Sequence, residues 1–321
     1  MTVNKSSVKI KIYFVVEVEN MADKKIKELL KDAGKYELTE SERAKADGSF
    51  IDLPCGNTHY EVRGDGELCV LVHGYATPYY IYDKVADELV KNGYKILRYD
   101  LLGRGLSERV KAKYTPELFA TQLKELTGSL FGDEKFYLFG TSMGGTIVNA
   151  FCAAYPEYVK KLILLAPAGM DSFKPPFYMY LSSCPVVGDI LFAFLGNKIL
   201  LKSCAREMKY SVNEIDYYTE SFAKSIKYKG FPKCTLSSLR NTILKTKKAT
   251  GFYKKTAAHG TPVLCLWGKN DITMPFYQAE RFKEIMPDAE LHALEGSGHI
   301  FLYDEIDKTM RYVLPFLQKQ S

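Results

Sequence analysis

The sequence predicts an α/β fold, a doubly wound and mostly parallel sheet with an inserted, mainly helical cap. From about Ser49, short apolar segments alternate with segments of helical periodicity, a pattern typical of a sheet covered by helices. Several of these segments are apolar throughout, as expected of strands buried on both faces. The alternation stops over residues 170–257, which are rich in aromatic residues and lysine, and then resumes. An insertion after one strand is the simplest explanation of that stretch.

The individual elements follow from local patterns. The turn sequence Pro-Cys-Gly-Asn at 54–57 predicts an opening hairpin over 50–53 and 58–62. Apolar residues at positions 81, 85 and 89 indicate a helix, and Pro116 suits the first turn of the next one. Further strands are predicted at 68–72, 94–99, 136–139, 162–165, 263–267 and 289–294. Helices are predicted at 80–91, 116–130, from the end of the 136–139 strand to about 155, and near 276–286 and 304–318.

These elements divide the chain into three predicted parts. Residues 1–48 form an N-terminal extension with a tail and a short helix at about 23–31. Residues 49–169 and 258–321 form the core, and residues 170–257 form the cap. The apolar run at 12–16 is too short for a secretory signal and is followed by Glu17 and Glu19, so no signal peptide is expected.

Composition excludes several classes of protein. The 321 residues are 46% hydrophobic and 26% charged, which is ordinary for a globular chain. No apolar run approaches the roughly 20 residues that span a bilayer, and a net charge of +6 does not demand a nucleic-acid partner. The seven scattered cysteines include no Cys-x-x-Cys pair and no Cys/His cluster at metal spacing. They favour a reduced, cytoplasmic location over a disulfide framework.

The segment Gly140-Thr141-Ser142-Met143-Gly144-Gly145 is the strongest motif. It follows a predicted strand and opens a predicted helix, as a nucleophile elbow does, with small residues two before and two after the serine. Gly-x-Ser-x-Gly alone occurs by chance in about one chain in ten of this length, so the strand and helix around it provide the specificity. We predict Ser142 as the nucleophile, Gly140 and Gly144 as the elbow glycines, and the N–H of Met143 as an oxyanion donor.

A second motif, His73-Gly74-Tyr75, ends the predicted strand 68–72. Gly74 allows the following loop to fold over the nucleophile, and the N–H of Tyr75 is predicted as the second oxyanion donor. Such donors matter because losing one typically lowers the rate roughly 100- to 1000-fold. His73 itself is interpreted as a hydrogen-bonding organiser of this loop rather than a base.

The acid and the base are predicted after two later strands. Asp271 follows the 263–267 strand and His299, between glycines and serine, follows the 289–294 strand. Side chains at the carboxyl ends of parallel strands meet in one crevice, and a histidine with a near-neutral pKa suits proton transfer. Asp171 is a rival acid. The order Ser142, Asp271, His299 is found in one hydrolase fold and differs from the chymotrypsin and subtilisin orders.

With these motifs, the sequence resembles the α/β-hydrolase superfamily over residues 50–318. Residues 100–107, Asp-Leu-Leu-Gly-Arg-Gly-Leu-Ser, resemble its D-x-x-G-x-G-x-S loop, and residues 164–169 resemble the segment that leads into its cap. The elbow is most similar to those of monoacylglycerol-lipase-type and meta-cleavage C–C hydrolase-type members. The resemblance implies Ser142 as nucleophile, His299 as base, Asp271 as its orienting acid and no metal or organic cofactor.

The cap sequence bears on substrate and partners. Its first half is rich in large apolar residues, which indicate either ordinary helix packing or an acyl pocket. Residues 198–260 carry 14 basic and 4 acidic residues, a net charge of +10. A solvated basic surface explains this, and so does transient contact with anionic lipids, which would make the protein peripheral to membranes. Five aromatic residues interleave with the lysines and suit such an interfacial face: Tyr217, Tyr218, Phe222, Tyr228 and Phe231.

We therefore predict a serine hydrolase acting on carboxylic esters, with medium or long acyl chains such as monoacylglycerols. A meta-cleavage C–C hydrolase remains an alternative and requires cationic side chains inside the cap. A proline-iminopeptidase-like enzyme is a weaker alternative, because those enzymes usually carry Trp where this chain has Met143. A non-catalytic ligand receptor on the same scaffold is the alternative from outside enzymology. No nucleic-acid partner is expected, and the sequence leaves the oligomeric state open.

Overall fold

The computed structural model describes residues 25–207 and 215–319. Its centre is an eight-stranded sheet formed by β1 (Ser49–Leu53), β2 (Gly56–Arg63), β3 (Leu68–Val72), β4 (Lys95–Tyr99), β5 (Phe136–Thr141), β6 (Val159–Leu165), β7 (Val263–Gly268) and β8 (Glu290–Leu294). The order across the sheet is β1-β2-β4-β3-β5-β6-β7-β8. β2 pairs antiparallel with β1 and β4, whereas all pairings among β3 to β8 are parallel. The predicted mostly parallel α/β fold is confirmed.

Helices connect the strands. They are α1 (Glu40–Arg43), α2 (Asp83–Lys91), α3 (Pro116–Phe131), α4 (Met143–Ala154), α5 (Phe177–Ser183), α6 (Val187–Glu207), α7 (Ile215–Ile226), α8 (Phe231–Ser238), α9 (Thr246–Ala258), α10 (Gln278–Ile285), α11 (Phe301–Asp304) and α12 (Ile306–Gln318). Short 3₁₀ turns lie at Leu30–Asp32, Tyr79–Tyr82 and Pro156–Tyr158, and a π turn at Leu239–Ile243. The single helix predicted near 304–318 is divided at Glu305, and the one predicted at 80–91 starts as a 3₁₀ turn.

Local sequence accounts for the core. Every residue of β3, β5 and β7 is buried, which explains their continuous apolar character. α3 begins with Pro116 at its first position, and the hydroxyl oxygen of Thr115 accepts a hydrogen bond from the N–H of Leu118. The parallel order brings the carboxyl ends of β3, β5, β7 and β8 to one edge of the sheet, where the predicted catalytic motifs follow.

The aromatic residues of the predicted interfacial set are mostly buried. Tyr218, Phe222, Phe231 and Tyr228 are buried, and only Tyr217 of the predicted interfacial set is exposed. The ring of Phe222 meets that of Phe231 edge-on, with centroids 5.8 Å apart. The prediction of an interfacial face built from these residues is therefore wrong. Helical packing turns them inward because their apolar area is most stabilising when buried.

The last helix of the predicted cap packs against the core. The hydroxyl of Thr256 on α9 donates to the carbonyl of Asn149 on α4 at 3.3 Å. The buried hydroxyl of Tyr253, also on α9, donates to the carbonyl of Ala168 at 2.6 Å. These contacts join the end of the insertion to the elbow helix. The division of the chain into extension, core and cap stays a prediction.

The described part of the N-terminal extension lies against the cap. The N–H of Gly34 donates to the carbonyl of Ile226 at 2.9 Å, and the hydroxyl of Tyr228 donates to Glu42 at 3.1 Å. Residues 25–32 are helical, where the short helix at about 23–31 was predicted, and the predicted tail lies outside the described residues. In the described ranges no helix is both long and apolar enough to cross a membrane.

Candidate active site

Ser142 occupies a strained turn between β5 and α4. Its backbone has φ 52° and ψ −122°, a conformation that a residue with a side chain adopts only when its surroundings enforce it. A Cβ atom on Gly140 would lie 2.6 Å from Cγ2 of Val148 and 2.7 Å from the carbonyl oxygen of Gly144. A Cβ atom on Gly144 would collide with the carbonyl oxygen of Val72. Both glycines are needed because the chain passes too closely here for any side chain.

The loop after β3 lies directly against this serine. A Cβ atom on Gly74 would be 3.2 Å from Cβ and 3.7 Å from Oγ of Ser142. The carbonyl of Tyr75 accepts a hydrogen bond from Nε of Arg104 at 2.9 Å, and its hydroxyl donates to the carbonyl of Thr235 at 2.9 Å. Tyr75 is thus hydrogen-bonded to both the core and the predicted cap. It follows Gly74, which lies against Ser142, the residue beside which the sequence analysis predicts Tyr75 as an oxyanion donor.

His73 is a buried, hydrogen-bonded residue at the start of the same loop. Its Nε2 accepts a hydrogen bond from the N–H of Leu101 at 2.9 Å, and the side chain is fully buried. Burial lowers its pKa to about 4, so the ring is neutral at physiological pH. The interpretation of His73 as an organiser of the loop is confirmed.

His299 and Asp271 form a short, buried pair. Nδ1 of His299 lies 2.7 Å from Oδ2 of Asp271. The other carboxylate oxygen accepts the N–H groups of Thr273 at 2.8 Å and Met274 at 2.7 Å. Because the loop after β7 holds the carboxylate through its backbone, the carboxylate in turn fixes the orientation of the imidazole.

The pair perturbs the titration of the histidine. Burial disfavours the charged imidazole, but the charge and hydrogen bond of Asp271 and the charge of Glu207 outweigh it and raise the pKa of His299 to about 9. A group with a strongly shifted pKa in a cleft is a candidate for proton transfer.

The rival acid, Asp171, has another partner. Its two carboxylate oxygens accept hydrogen bonds from Nε and Nη2 of Arg281 at 2.7 and 3.2 Å. Its hydrogen bond to that guanidinium holds its pKa below the ordinary value. Of the two candidates, Asp271 is the one in contact with His299.

A cavity of about 630 Å³ joins these residues to the cap. Ser142, His299, Gly74 and Tyr75 line it from the core. Most of the other lining side chains are apolar, and they include Phe173, Met179, Leu191, Phe192, Phe222, Leu239, Ile243 and Met274. The cavity is therefore shaped for a largely apolar ligand next to Ser142 and His299.

Comparison with known proteins identifies the family. The family model Hydrolase_4, described as "Serine aminopeptidase, S33", matches residues 66–306. The chain belongs to this α/β-hydrolase family. Lipase 3 from Moraxella sp. (strain TA144) is 27% identical over 282 residues, which cover 85% of each chain. The 2-hydroxy-6-oxononadienedioate/2-hydroxy-6-oxononatrienedioate hydrolase 1 of Dechloromonas aromatica (strain RCB) is 28% identical over 293 residues, covering 87% of this chain and 97% of that one.

The fold of this hydrolase matches solved structures as well. A thermophilic esterase from Thermogutta terrifontis superposes with a TM-score of 0.71 and 18% identity, over 85% of this chain and 98% of that chain. At that identity the likeness shows the fold alone. The α/β-hydrolase fold expected from the motifs is confirmed, and the hydrolase class is shared with both named relatives.

The hydrolase also has ionisable groups in its cavity that sequence reasoning missed. Three cationic side chains that are largely exposed line it, Lys174, Lys202 and Arg206. Glu207, at the end of α6, lines it too and accepts a hydrogen bond from the hydroxyl of Thr273 at 3.1 Å. The available sequence signal was weak: Glu207 is one of four acidic residues in a strongly basic stretch.

Proposed function

We propose that this hydrolase is a serine enzyme that cleaves carboxylic esters with medium or long acyl chains, such as monoacylglycerols, in lipid metabolism. The observation that carries the proposal is the His299–Asp271 contact of 2.7 Å at a largely apolar cavity that Ser142 also lines. The strained backbone of Ser142 supports it, because strain of this kind clusters at active sites. The lipase relative is consistent with the substrate class.

The proposed mechanism assigns one role to each of the predicted catalytic groups. Oγ of Ser142 attacks the ester carbonyl as Nε2 of His299 takes its proton, and Asp271 stabilises the imidazolium that forms. The N–H groups of Tyr75 and Met143 stabilise the oxyanion of the tetrahedral intermediate. His299 then returns the proton to the departing alcohol. In the second half of the reaction water is the nucleophile, His299 accepts its proton, and Ser142 is the leaving group that receives the proton from His299.

Steady-state hydrolysis of p-nitrophenyl esters, from acetate to palmitate, tests this proposal. Wild type is expected to turn over repeatedly, with kcat/KM rising toward the longer chains because they fill the apolar cavity. Ser142→Ala is expected to lose the activity. Activity that survives in Ser142→Ala contradicts the nucleophile assignment, and the absence of turnover in both proteins favours the C–C hydrolase or the receptor alternative.

A C–C hydrolase of meta-cleavage type is the second candidate. It is favoured by the cationic side chains at the cavity, Lys174, Lys202 and Arg206, and by the Dechloromonas aromatica relative. The substrates in that relative's name are dicarboxylic acids, which such cations would hold. Assaying a 2-hydroxy-6-oxo-dienoic acid beside the best p-nitrophenyl ester, with Arg206→Gln as a variant, separates the two. Turnover of the acid alone, lost in the variant, favours C–C cleavage.

We also propose that the cap contacts lipid surfaces. Large apolar residues are concentrated on α5 and α6, where Phe177 is 79% and Phe194 is 83% exposed. Their helices carry Met179, Leu191 and Ile199 into the cavity lining, so a ligand could pass from a membrane into the cavity. Exposed Lys198 and Lys202 on α6 complement anionic headgroups.

The unpaired state of all seven cysteines supports a cytoplasmic location.

Co-sedimentation with vesicles of phosphatidylcholine and phosphatidylserine tests the lipid contact. The double variant Phe177→Glu and Phe194→Glu is expected to lose binding, and Val62→Glu, an exposed apolar position on β2, serves as the control. Lys→Glu changes at Lys245 and Lys247 are expected to weaken binding, whereas Lys248 is already paired with Glu117 at 2.5 Å. Binding that is unchanged in all variants contradicts the proposal.

A further inference from the structure

We propose that Glu207 forms a polar subsite for the alcohol part of the substrate and binds a hydroxyl group on it, as in a glyceryl ester. The inference rests on the proposed ester hydrolysis and names the substrate class more closely. It starts from a carboxyl group that the catalytic steps above do not use. Three observations support it: the connections of this group, its surroundings and its place relative to the reacting atoms.

Glu207 is connected to the acid–base pair through one residue. The hydroxyl of Thr273 donates to Oε1 of Glu207 at 3.1 Å, and the N–H of Thr273 donates to Asp271 at 2.8 Å. The charge of Glu207 is close enough to raise the pKa of His299. The end of α6 therefore brings a second carboxyl group to the catalytic end of the cavity.

The surroundings of this carboxyl group are poor in polar partners. Among the described residues, Thr273 provides its one hydrogen bond, and the side chain is partly exposed to the cavity that it lines. Burial raises the pKa of Glu207, and the nearby charge of Asp271 acts in the same direction, while His299 and Arg206 oppose it. A carboxyl group that is partly removed from water and has one hydrogen bond gains from a ligand that offers it another.

The chemistry of the reaction indicates which part of an ester lies there. His299 returns its proton to the oxygen of the departing alcohol, so the alcohol part must lie beside His299, and Glu207 is near that ring. The acyl chain then extends along the apolar lining around Phe173, Leu191 and Phe192. One end of the cavity is suited to a hydroxylated head and the rest to a hydrocarbon chain.

The charge of Glu207 at this end of the cavity disfavours esters whose alcohol part carries a negative charge. A carboxylate on the substrate would be repelled by Glu207, which lines this end of the cavity. An ammonium group would be attracted, which makes cationic esters the alternative to exclude. A carboxyl group with a raised pKa is matched by a neutral hydroxyl, which hydrogen-bonds to either protonation state.

Three esters of one acyl chain test the proposal: the 1-glyceryl, the methyl and the choline ester. Kinetics are compared in wild type, Glu207→Gln, Glu207→Leu and Glu220→Leu, the last a surface glutamate on α7 that serves as the matched control. The pH-independent kcat/KM of each protein, taken from its full pH profile, is compared, so that a change in the pKa of His299 does not enter the comparison. Glu207→Leu is expected to lower kcat/KM for the glyceryl ester about 10- to 100-fold more than kcat/KM for the methyl ester, the effect of one hydrogen bond to a charged group.

The outcomes separate the possible roles. Glu207→Gln is expected to retain part of the preference, because its amide oxygen still accepts a hydrogen bond from a hydroxyl. An equal loss on the glyceryl and methyl esters would show a structural role and overturn the proposal. A selective loss on the choline ester would overturn it in favour of a cation site.

Binding without turnover separates this inference from the proposed function. Calorimetry with a 1-O-alkyl glycerol ether and the matching alkyl methyl ether requires no catalysis. Wild type is expected to prefer the glycerol ether at least about 10-fold and Glu207→Leu to show no preference. If wild type hydrolyses no ester but keeps this preference, the proposed function fails and the subsite stands. If wild type hydrolyses esters without the preference, the subsite fails alone.

Discussion

Two buried histidine–aspartate pairs are found among the described residues, and the histidine of one of them, His299, lines a cavity together with Ser142. Nδ1 of His299 is 2.7 Å from Asp271, and Nδ1 of His59 is 2.8 Å from Asp100. All four side chains are nearly inaccessible to solvent. In both pairs burial opposes protonation of the ring, and the aspartate outweighs it and raises the pKa of the histidine.

The second ring nitrogen distinguishes the pairs. Nε2 of His59 lies 2.7 Å from the carbonyl oxygen of Asp47, and the ring is stacked between Phe50 and Tyr79 with centroids 4.8 and 5.0 Å away. Since both partners are acceptors, they favour the protonated ring, in which both nitrogens of His59 can donate. Among the described residues, His299 is bonded through Nδ1 only. A short histidine–aspartate contact therefore identifies a rigid ring, and a catalytic role requires a nitrogen left for the substrate.

Alanine in place of each histidine gives the largest expected contrast. His299→Ala is expected to lower kcat on the best p-nitrophenyl ester about 10⁶-fold, the usual cost of removing a triad base, and also to lower the melting temperature, because the buried Asp271 loses its partner. His59→Ala is expected to keep kcat per folded molecule within about threefold and to lose stability instead. Calorimetric melting and active-site titration check both. A large kcat loss in His59→Ala would remove the distinction.

Asparagine in place of each aspartate gives the next largest contrast. Asp271→Asn is expected to lower kcat about 10⁴-fold, because the amide no longer holds the productive tautomer. Asp100 also accepts the N–H groups of Tyr79 and Leu106, so Asp100→Asn leaves a buried imidazolium unpaired and is expected to cost about 3–5 kcal/mol of unfolding free energy. Urea denaturation and kcat, measured on the same preparations, test this. Equal effects on both quantities in both variants would contradict it.

Local sequence patterns were enough to predict most of the core and the positions of the site residues along the strands. Ser142, Asp271 and His299 each follow a strand of a parallel sheet, and parallel topology alone brings such positions to one edge. The contact between His299 and Asp271 could thus be anticipated from residues 28 positions apart. The elbow glycines, Gly140 and Gly144, could also be predicted from the sequence, because their role depends on the local turn.

The features that escaped prediction depend on how distant helices pack. The burial of Tyr218 and Phe222 is set by neighbouring cap helices, and periodicity in a lysine-rich segment could not reveal which face is inside. Glu207 reaches the cavity only because α6 ends above the loop that contains Thr273. The contact of Gly34 with Ile226 joins segments nearly two hundred residues apart, for which no local signal exists.

The pH dependence of the two pairs provides a third, smaller contrast. The base must be neutral, so kcat/KM is expected to rise with pH and to level off above the pKa of His299, about 9. Glu207→Gln is expected to move this inflection to lower pH by removing one charge that raises it. A profile that is flat between neutral pH and 10 would contradict the raised pKa of His299.

The same pH range weakens the structural pair. His59 has a folded pKa raised above its ordinary 6.5, so its contribution to stability is complete below that value and is lost as pH rises through the raised pKa. His299 contributes in the same sense. Urea midpoints measured from pH 6 to pH 10 are expected to fall in wild type and to fall less in His59→Gln. A steeper fall in the variant would show that other groups dominate.

The smallest expected effect concerns Asp171, which the sequence analysis named as the rival acid. Asp171 is partly exposed and bonded to Arg281, which also contacts Glu284. Because solvent screens such pairs, Asp171→Asn is expected to leave kcat/KM within about twofold and the melting temperature within about 2 °C of wild type. Measured beside Asp271→Asn, this variant separates the acid that holds His299 from one that only lies near the same edge of the sheet. A kcat loss comparable to that of Asp271→Asn would mean that the two carboxylates exchange roles when substrate binds.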